Sequence, residues 1–184
     1  MVQCVAVSIV IEVTVESTLN ADVELKVLDD RLQGWGLPKY QSDMAAAVDL
    51  HACLDEALVL QAGSPARLVP SGIALHMANP NLAAVILPRS GAGHKTGLVL
   101  GNLQGLIDAD FTGPILISVW NRNAPGTDPI VIQPGDRIAQ MMFLPTVRVA
   151  FKTVTAFSQD SKRGAAGFGS TGLAVAASGA QSDL

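Results

Sequence analysis

The stretch LAAVILPRSGAG, residues 82–93, decides the fold class of this chain. Its first six residues are apolar without alternation, which is the pattern of a strand buried on both faces. Its last six residues include a proline and two glycines, which favour a turn. A short apolar run that ends in a turn is typical of a β protein, and such runs recur along the sequence.

Further apolar runs, separated by some of the 17 glycines and 10 prolines, also predict strands. They are Val23–Leu28, Ala66–Met77, Ile115–Trp120, Arg137–Leu144 and Val147–Thr155. The last of these runs alternates apolar and polar residues, as a strand with one wet face does. No long stretch keeps a 3.6-residue period. We therefore predict an all-β fold, either a sandwich or a barrel.

The composition excludes several classes of protein. Hydrophobic residues make up 49% of the 184 residues, which is enough apolar material for a core and excludes a mainly disordered chain. A net charge of −4 argues against nucleic acid or an anionic membrane as a partner, and we expect neither. Two cysteines, Cys4 and Cys53, are too few for a disulfide framework or a four-thiolate zinc site.

We expect one β domain over residues 21–162, because no linker-like segment divides it. Residues 1–20 are expected to be an N-terminal extension that forms an extra strand. Its apolar part, residues 2–15, lacks a basic start and is shorter than a membrane helix, so the cytoplasm is the expected compartment. The remaining residues are rich in glycine, alanine and serine, and we expect an arm at 163–172 and a disordered tail at 173–184.

The turn PRSGAG at residues 88–93 is a candidate phosphate-binding site. Glycines let backbone N–H groups approach an anion, and the guanidinium of Arg89 can donate two hydrogen bonds to its oxygens. The alternative is a hairpin turn with a surface arginine, and the motif alone does not decide between the two.

The segment GNLQGLIDADFTG at residues 101–113 sets two carboxylates, Asp108 and Asp110, among apolar residues and glycines. A carboxylate beside Ile107 and Phe111 gains basicity where water is excluded, which makes it a candidate general base. An ordinary Asp-x-Asp turn and a magnesium site are the alternatives.

The arm RGAAGFGSTG at residues 163–172 holds a phenylalanine, an arginine and two hydroxyl side chains among glycines. Phe168 has no core to enter unless the arm closes over something. One interpretation is a lid, in which Phe168 stacks on a flat ring while Arg163 and the hydroxyls bind phosphate. The other is an unstructured terminus.

These three segments, together with AAAVDL at 45–50 and PGDRIAQ at 134–140, resemble the five ordered motifs of the trimeric dUTPases in order and spacing. The resemblance implies a homotrimer of distorted jelly rolls, or β-clip sandwiches, with active sites shared between subunits. It also implies hydrolysis of dUTP to dUMP and pyrophosphate with Mg²⁺. That reaction keeps uracil out of DNA and supplies dUMP for thymidylate synthesis.

The resemblance also implies roles for single residues. Asp108 matches the catalytic aspartate, which deprotonates the water that attacks the α-phosphorus. Asn102, Gly105 and Ile107 match the hairpin that reads uracil, largely through main-chain groups. Phe111 takes the place of the usual tyrosine under the deoxyribose, where the ring leaves no room for a 2′-hydroxyl.

The implied phosphate-binding residues come from three of the motifs. They are Arg89, Ser90 and Gly91 in the second motif, Gln140 in the fourth, and Arg163, Ser170 and Thr171 in the arm. Phe168 would cover the uracil ring. Asp49 matches the first-motif aspartate, which holds Mg²⁺ through water while the phosphates bind the metal directly.

Four positions depart from the family pattern. Phe111 lacks the tyrosine hydroxyl, and His51 replaces a frequent arginine and is expected to face solvent. Ala47 and Ala166 stand where glycines are usual, and each would cost about 1 kcal/mol or more if its backbone required a positive φ. None of the four removes a catalytic group, so we expect an active enzyme.

Two rival functions are weighed against this one. The dCTP deaminases share the fold but need a glutamate on the strand after the third motif, where this chain has Ser118 within the acid-free run 113–121. Proton transfer to the cytosine amine would lack its carrier. The other rival is a binding protein that kept the pocket and lost turnover, and the presence of Asp108 and Arg163 argues against it.

Overall fold

The computed structural model describes residues 21–159, Ser161 and Gly164. The chain divides into two compact units, Met1–Arg148 and Val149–Leu184, and the elements named below lie in the first. In chain order they are β1 Glu24–Val27, α1 Leu32–Trp35, β2 Val48–His51, β3 Leu58–Leu60, β4 Arg67–His76, β5 Leu82–Pro88, a π-helical turn Ala92–Thr96, β6 Leu98–Leu100, β7 Gly105–Ile107, β8 Pro114–Asn121, β9 Ile130–Ile132 and β10 Arg137–Pro145.

The strands form two four-stranded antiparallel sheets and a two-stranded ribbon. The first sheet has the order β1-β4-β8-β6, the second has the order β2-β10-β5-β7, and β3 pairs with β9 in the ribbon. Buried apolar side chains from both sheets form one core cluster, in which Ile117 of β8 and Met141 of β10 are each 1% exposed. The prediction of an all-β fold is confirmed.

The run at residues 82–87 forms β5, and its central residues are buried, as the absence of alternation predicted. The strand lies between β10 and β7 in the second sheet, so it has hydrogen-bonded neighbours on both sides. This position makes β5 the frame of the candidate site, because the turns at its end and at the end of β7 carry the second and third motifs.

One predicted strand is wrong. No residue of Val147–Thr155 lies in a strand, and Val147 and Phe151 are 88% and 94% exposed. Alternation indicates which side chains share a face, but it does not supply a neighbouring strand to pair with. The other five predicted strands are confirmed as β1, β4, β5, β8 and β10.

Strand β4 bends at Gly72, which has a φ of +74°. The pairing register with β8 shifts between Pro70 and Ala74, and the carbonyl oxygen of Gly72 accepts a hydrogen bond from Leu28 N–H at 2.8 Å. A Cβ at this position would lie 2.5 Å from the sulfur of Cys53. Glycine is therefore required here by both the backbone conformation and the space.

Of the helices in the described part of the chain, none has the length and apolarity required to span a bilayer.

Candidate active site

Asp49 is the centre of a charged cluster on β2. Its Oδ1 forms an ion pair with Arg89, whose Nε lies 2.8 Å away, and its Oδ2 accepts a hydrogen bond from Arg137 Nη1 at 3.1 Å. Arg89 also donates to the backbone oxygen of Arg137 at 3.2 Å. Because Asp49 is only 9% exposed, two guanidiniums rather than bulk water balance its charge.

A β-bulge in β10 brings the arginine of the fourth motif into this cluster. Gln140 pairs with Asp49 and Arg137 pairs with His51, and the register shifts between Arg137 and Ala139. Paired residues on antiparallel strands share a face, and so do residues two apart such as Asp49 and His51. Without the bulge, Arg137 and Gln140 would point to opposite faces, because they are three positions apart in the strand. The extra residue puts both side chains on the face that carries Asp49.

The other phosphate-motif residues lie beside this cluster. Gln140 also pairs with Leu87 of β5, and its Nε2 donates to the backbone oxygen of Pro88 at 3.0 Å. Ser90 and Gly91 follow Arg89 and are exposed. An open cavity of about 320 Å³ is lined in part by the two arginines of the cluster. The first, second and fourth motifs thus meet at one place, with donor groups facing solvent.

His51 does not face solvent, so that expectation is wrong. The residue is 9% exposed, and its ring centroid lies 6.4 Å from that of Trp35. Burial lowers the pKa of His51, and the charge of Arg137 lowers it further. Its Nδ1 has no hydrogen-bond partner among the described residues. The sequence missed this burial because the covering residue, Trp35, is 16 positions away in the chain and belongs to α1.

The third motif forms the β7 hairpin and the turn after it. Asn102 lies in the exposed turn before β7, while Gly105 and Ile107 lie within β7 and are half-buried. Asp108 follows the strand, is exposed, and accepts a hydrogen bond at its backbone oxygen from Phe111 N–H at 3.1 Å. The hairpin therefore presents its main chain and one carboxylate on the surface.

An open cavity of about 630 Å³ borders Asp108. Asp110, His76 and Arg148 also line it. His76 Nδ1 lies 2.9 Å from a carboxylate oxygen of Glu24, so this histidine already has a partner. The sequence motifs gave Arg148 no role, and its only sequence signal was a charged residue three positions beyond the end of β10.

The two groups of motif residues lie far apart within one chain. Ile107 pairs with Ala84, so the register continued by one residue places Asp108 beside Ala83 of β5. Arg89 is six residues further along the same strand direction, and six residues of a strand span about 20 Å. A single chain therefore does not bring Asp108 to the Asp49 cluster.

The concern about Ala47 does not apply. Among the described residues, the non-glycine positions with positive φ are Ala78 and Leu103, so the backbone at Ala47 is compatible with a side chain. The arm residues Arg163, Ala166, Phe168, Ser170 and Thr171 lie outside the described residues, and so do the expected extension at 1–20 and the tail at 173–184.

The residues present fit a magnesium ion bound mainly by a ligand's phosphates. Among the described residues, no group of three or more His, Cys, Asp or Glu side chains lies close enough to hold a metal ion. One arginine lies against each oxygen of Asp49, and a carboxylate offers about four acceptor positions in all. It can therefore still accept hydrogen bonds from metal-bound water, which is the arrangement that Mg²⁺ favours.

Comparison with known proteins gives relatives along most of the chain. A family model described as dUTPase matches residues 33–172. A deoxyuridine 5′-triphosphate nucleotidohydrolase of Xanthomonas oryzae pv. oryzae is 52% identical over 158 residues, which are 85% of this chain and 99% of that protein. A protein of the same name from Neisseria meningitidis serogroup C is 52% identical over 154 residues, with coverage of 84% and 99%.

Solved structures of phage dUTPases share the fold. A Staphylococcus bacteriophage 80alpha dUTPase variant with dUpNHpp matches with a TM-score of 0.68 at 22% identity and covers 83% of this chain and 99% of its own. A dUTPase variant from phage phi11 of S. aureus, described with a structural Mg(II) ion, matches with a TM-score of 0.65 at 19% identity, with coverage of 75% and 99%. The family model spans well over half of the chain, and the bacterial relatives are matched almost end to end. The chain therefore belongs to the dUTPase family.

Proposed function

We propose that this chain hydrolyses dUTP to dUMP and pyrophosphate, with Asp108 as the general base. The observation that carries the proposal is the 52% identity, over nearly their whole length, to enzymes named deoxyuridine 5′-triphosphate nucleotidohydrolase. The exposed Asp108 at the end of β7 supports the assignment of the base. Deamination lacks support, since β8 holds no acidic residue and has Ser118 at the position where a deaminase would need its glutamate.

In this mechanism the Asp108 carboxylate accepts a proton from a water molecule as its oxygen attacks the α-phosphorus. The bond from the α-phosphorus to the bridging oxygen breaks, and pyrophosphate leaves. A positioned general base contributes typically about 10²–10⁴-fold to the rate. The remaining acceleration comes from holding the triphosphate in line and neutralising the charge of the leaving group.

The hairpin around β7 selects the nucleoside. Main-chain groups near Asn102, Gly105 and Ile107 would hydrogen-bond the polar edge of uracil, and a fixed donor and acceptor pair rejects cytosine. A pocket of that size also excludes the methyl group of thymine. The Phe111 ring would lie under the deoxyribose, where it excludes a 2′-hydroxyl.

The Asp49 cluster binds the phosphates. Arg89 would donate to the phosphate oxygens together with Gln140 and the turn residues Ser90 and Gly91. From the arm, Arg163, Ser170 and Thr171 would add donors to the β- and γ-phosphates, while Phe168 would cover the base. Mg²⁺, when bound, supplies charge neutralisation on the phosphates, and Asp49 would hold one of its waters.

We further propose that the active enzyme is a homotrimer with active sites built between chains. The separation of about 20 Å between Asp108 and Arg89 within one chain supports this, because both must reach the same triphosphate. The outer face of the first sheet also exposes large apolar side chains. These are Leu68, Leu116 and Trp120, which are 65%, 45% and 37% exposed. Such a face is typical of a surface that another chain covers.

The cysteines support the cytoplasm as the compartment. Among the described residues Cys53 is a buried thiol with no disulfide partner, and burial raises its pKa to about 11. A protein of this size with an unpaired thiol and two cysteines in all suits a reducing compartment.

The variant Asp108→Asn tests the assignment of the base. It keeps the shape of the side chain and removes the proton acceptor, so we expect nucleotide binding close to that of the unchanged protein and a loss of nearly all pyrophosphate release. Binding is measured by calorimetry with a non-hydrolysable dUTP analogue. The control is Asp110→Asn, which removes the neighbouring carboxylate. Near-normal turnover in Asp108→Asn would overturn the assignment.

A further inference from the structure

The tip of the Phe111 ring lies against the backbone of Gly113. A Cβ built on Gly113 would be 2.7 Å from Phe111 Cζ and 3.1 Å from Cε2. The Phe111 N–H donates to the backbone oxygen of Asp108, which closes the turn that carries the ring. Phe111 is 44% exposed, so the ring is supported by the chain and still open to a ligand.

This contact limits what can stand at position 113. The φ of Gly113 lies outside the left-handed region, so its backbone is open to other residues. The following residue is Pro114, which favours an extended conformation that alanine adopts easily. A side chain at 113 would instead meet the far end of the Phe111 side chain at a distance that real Cβ atoms essentially never show, so the ring rather than the backbone would move.

We propose that Gly113 is a positioning residue for sugar selection: its missing side chain lets the Phe111 ring sit low enough to admit deoxyribose and still exclude a 2′-hydroxyl. The inference rests on the proposed function, in which Phe111 lies under the sugar. Ordinary contact begins at 3.4 Å, so a methyl group at 113 displaces the ring tip by about 0.7 Å. Displacements on the order of 1 Å in a site cost rate and selectivity.

The test measures kcat/KM for dUTP and for UTP with the full-length protein and Mg²⁺. We expect Gly113→Ala to lower the dUTP-to-UTP ratio at least tenfold. The matched control is Gly34→Ala, because a Cβ at Gly34 meets nothing within 4 Å and its φ is also outside the left-handed region. The control should keep the ratio of the unchanged protein. A ratio in Gly113→Ala equal to that of the control would overturn the inference.

A double variant separates an effect through the ring from a general loss of structure. Phe111→Ala removes the ring and should itself lower the ratio. In the double variant, the Gly113→Ala change has no ring to displace. The dUTP-to-UTP ratio of the double variant should therefore equal that of Phe111→Ala. This comparison holds even if Gly113→Ala alone folds poorly. A further drop in the double variant would overturn the inference, because Gly113 would then act independently of Phe111.

The same experiment distinguishes failure of the inference from failure of the proposed function. If the unchanged protein releases no pyrophosphate from dUTP, the proposed function fails. If the unchanged protein does release pyrophosphate, and Phe111→Ala lowers the dUTP-to-UTP ratio but Gly113→Ala does not, only the role of Gly113 is wrong. If Phe111→Ala leaves the ratio unchanged, the sugar contact assigned to Phe111 is wrong and the inference falls with it.

Discussion

Asp29 is held in its ionised form by hydrogen bonds from three donor groups of one residue. Arg31 donates to it from Nε at 2.9 Å, from Nη2 at 2.6 Å and from its backbone N–H at 3.0 Å. The side-chain hydrogen bonds from Arg31 lower the pKa of Asp29 from 3.8 to about 2. Arg31 Nη1 also donates a hydrogen bond to the backbone oxygen of Leu54 at 2.7 Å, so the Asp29–Arg31 pair joins the start of α1 to the segment after β2.

The pH dependence of stability follows from this pair. The folded pKa of Asp29 is lower than the unfolded one, so its contribution is fully present above pH 3.8 and is lost as the pH falls toward about 2. We expect Asp29→Asn to flatten the decrease in unfolding free energy between these two pH values. Urea unfolding across that range measures it, and Asp30→Asn, at an exposed neighbouring position, is the control. If the unfolding free energy of Asp29→Asn falls with pH as steeply as that of the unchanged protein, the role assigned to Asp29 is wrong.

Single residues show what the sequence could and could not predict. The motif residues on β2, β5 and β10 were identifiable because each motif has its own sequence pattern. The ion pairs of Asp49 with Arg89 and Arg137 were not, because they join residues 40 and 88 positions apart. His51 was misplaced for the same reason, since burial by Trp35 depends on tertiary packing rather than on the alternation within β2.

The bend in β4 gives a prediction for a single element. Alanine at Gly72 would be forced into the left-handed region and would put its Cβ against the Cys53 sulfur. The first effect costs about 1–2 kcal/mol and the second about 1–3 kcal/mol. We expect Gly72→Ala to lower the free energy of unfolding by about 2–5 kcal/mol in urea unfolding. Gly34→Ala, which meets nothing, should change it little, and equal stabilities of the two variants would show that β4 adapts without cost.

At the scale of elements, the strands that the sequence did not reveal are among the shortest ones. The strands that were predicted correctly have four to ten residues and are bounded by turn residues. Strands β2, β3, β6, β7 and β9 have only three or four residues and were missed. Such short segments carry too few residues for a period, and they become strands because a neighbour pairs with them. The bulge in β10 was also invisible, since it depends on the register with β2.

At the scale of the whole molecule, the proposed site residues form two separate groups within one chain. The Asp49 cluster and Asp108 lie at opposite ends of β5, about 20 Å apart. A triphosphate cannot use both in the same chain, and a neighbouring copy related by symmetry can bring its own Asp108 to the cluster. The resemblance to the dUTPases implied sites shared between subunits, and the strand register adds the distance that the motifs alone did not give.

Mixing two inactive variants tests the division directly. Asp108→Asn and Arg89→Gln should each be nearly inactive. When they are unfolded together in equal amounts and refolded, half of the chains supply an intact Arg89 and half an intact Asp108. About one quarter of the shared sites should then be complete, and pyrophosphate release should reach about a quarter of that of the unchanged protein.

The control for this mixture is the same two variants folded separately and then combined, which should regain little activity. If the co-refolded mixture stays inactive while each variant folds and forms the same assembly by sedimentation, the site lies within one chain and the shared arrangement is wrong.

The most direct test of the proposed function is pyrophosphate release from purified protein and Mg²⁺, with dUTP, dCTP, dTTP and UTP supplied separately. We predict release from dUTP alone. That result would require the Asp108 base, the uracil-reading hairpin and the Phe111 sugar contact to work together. Release from none of the four, with dUTP still bound, would contradict hydrolysis and leave a nucleotide-binding protein. Equal release from UTP would contradict the role of Phe111.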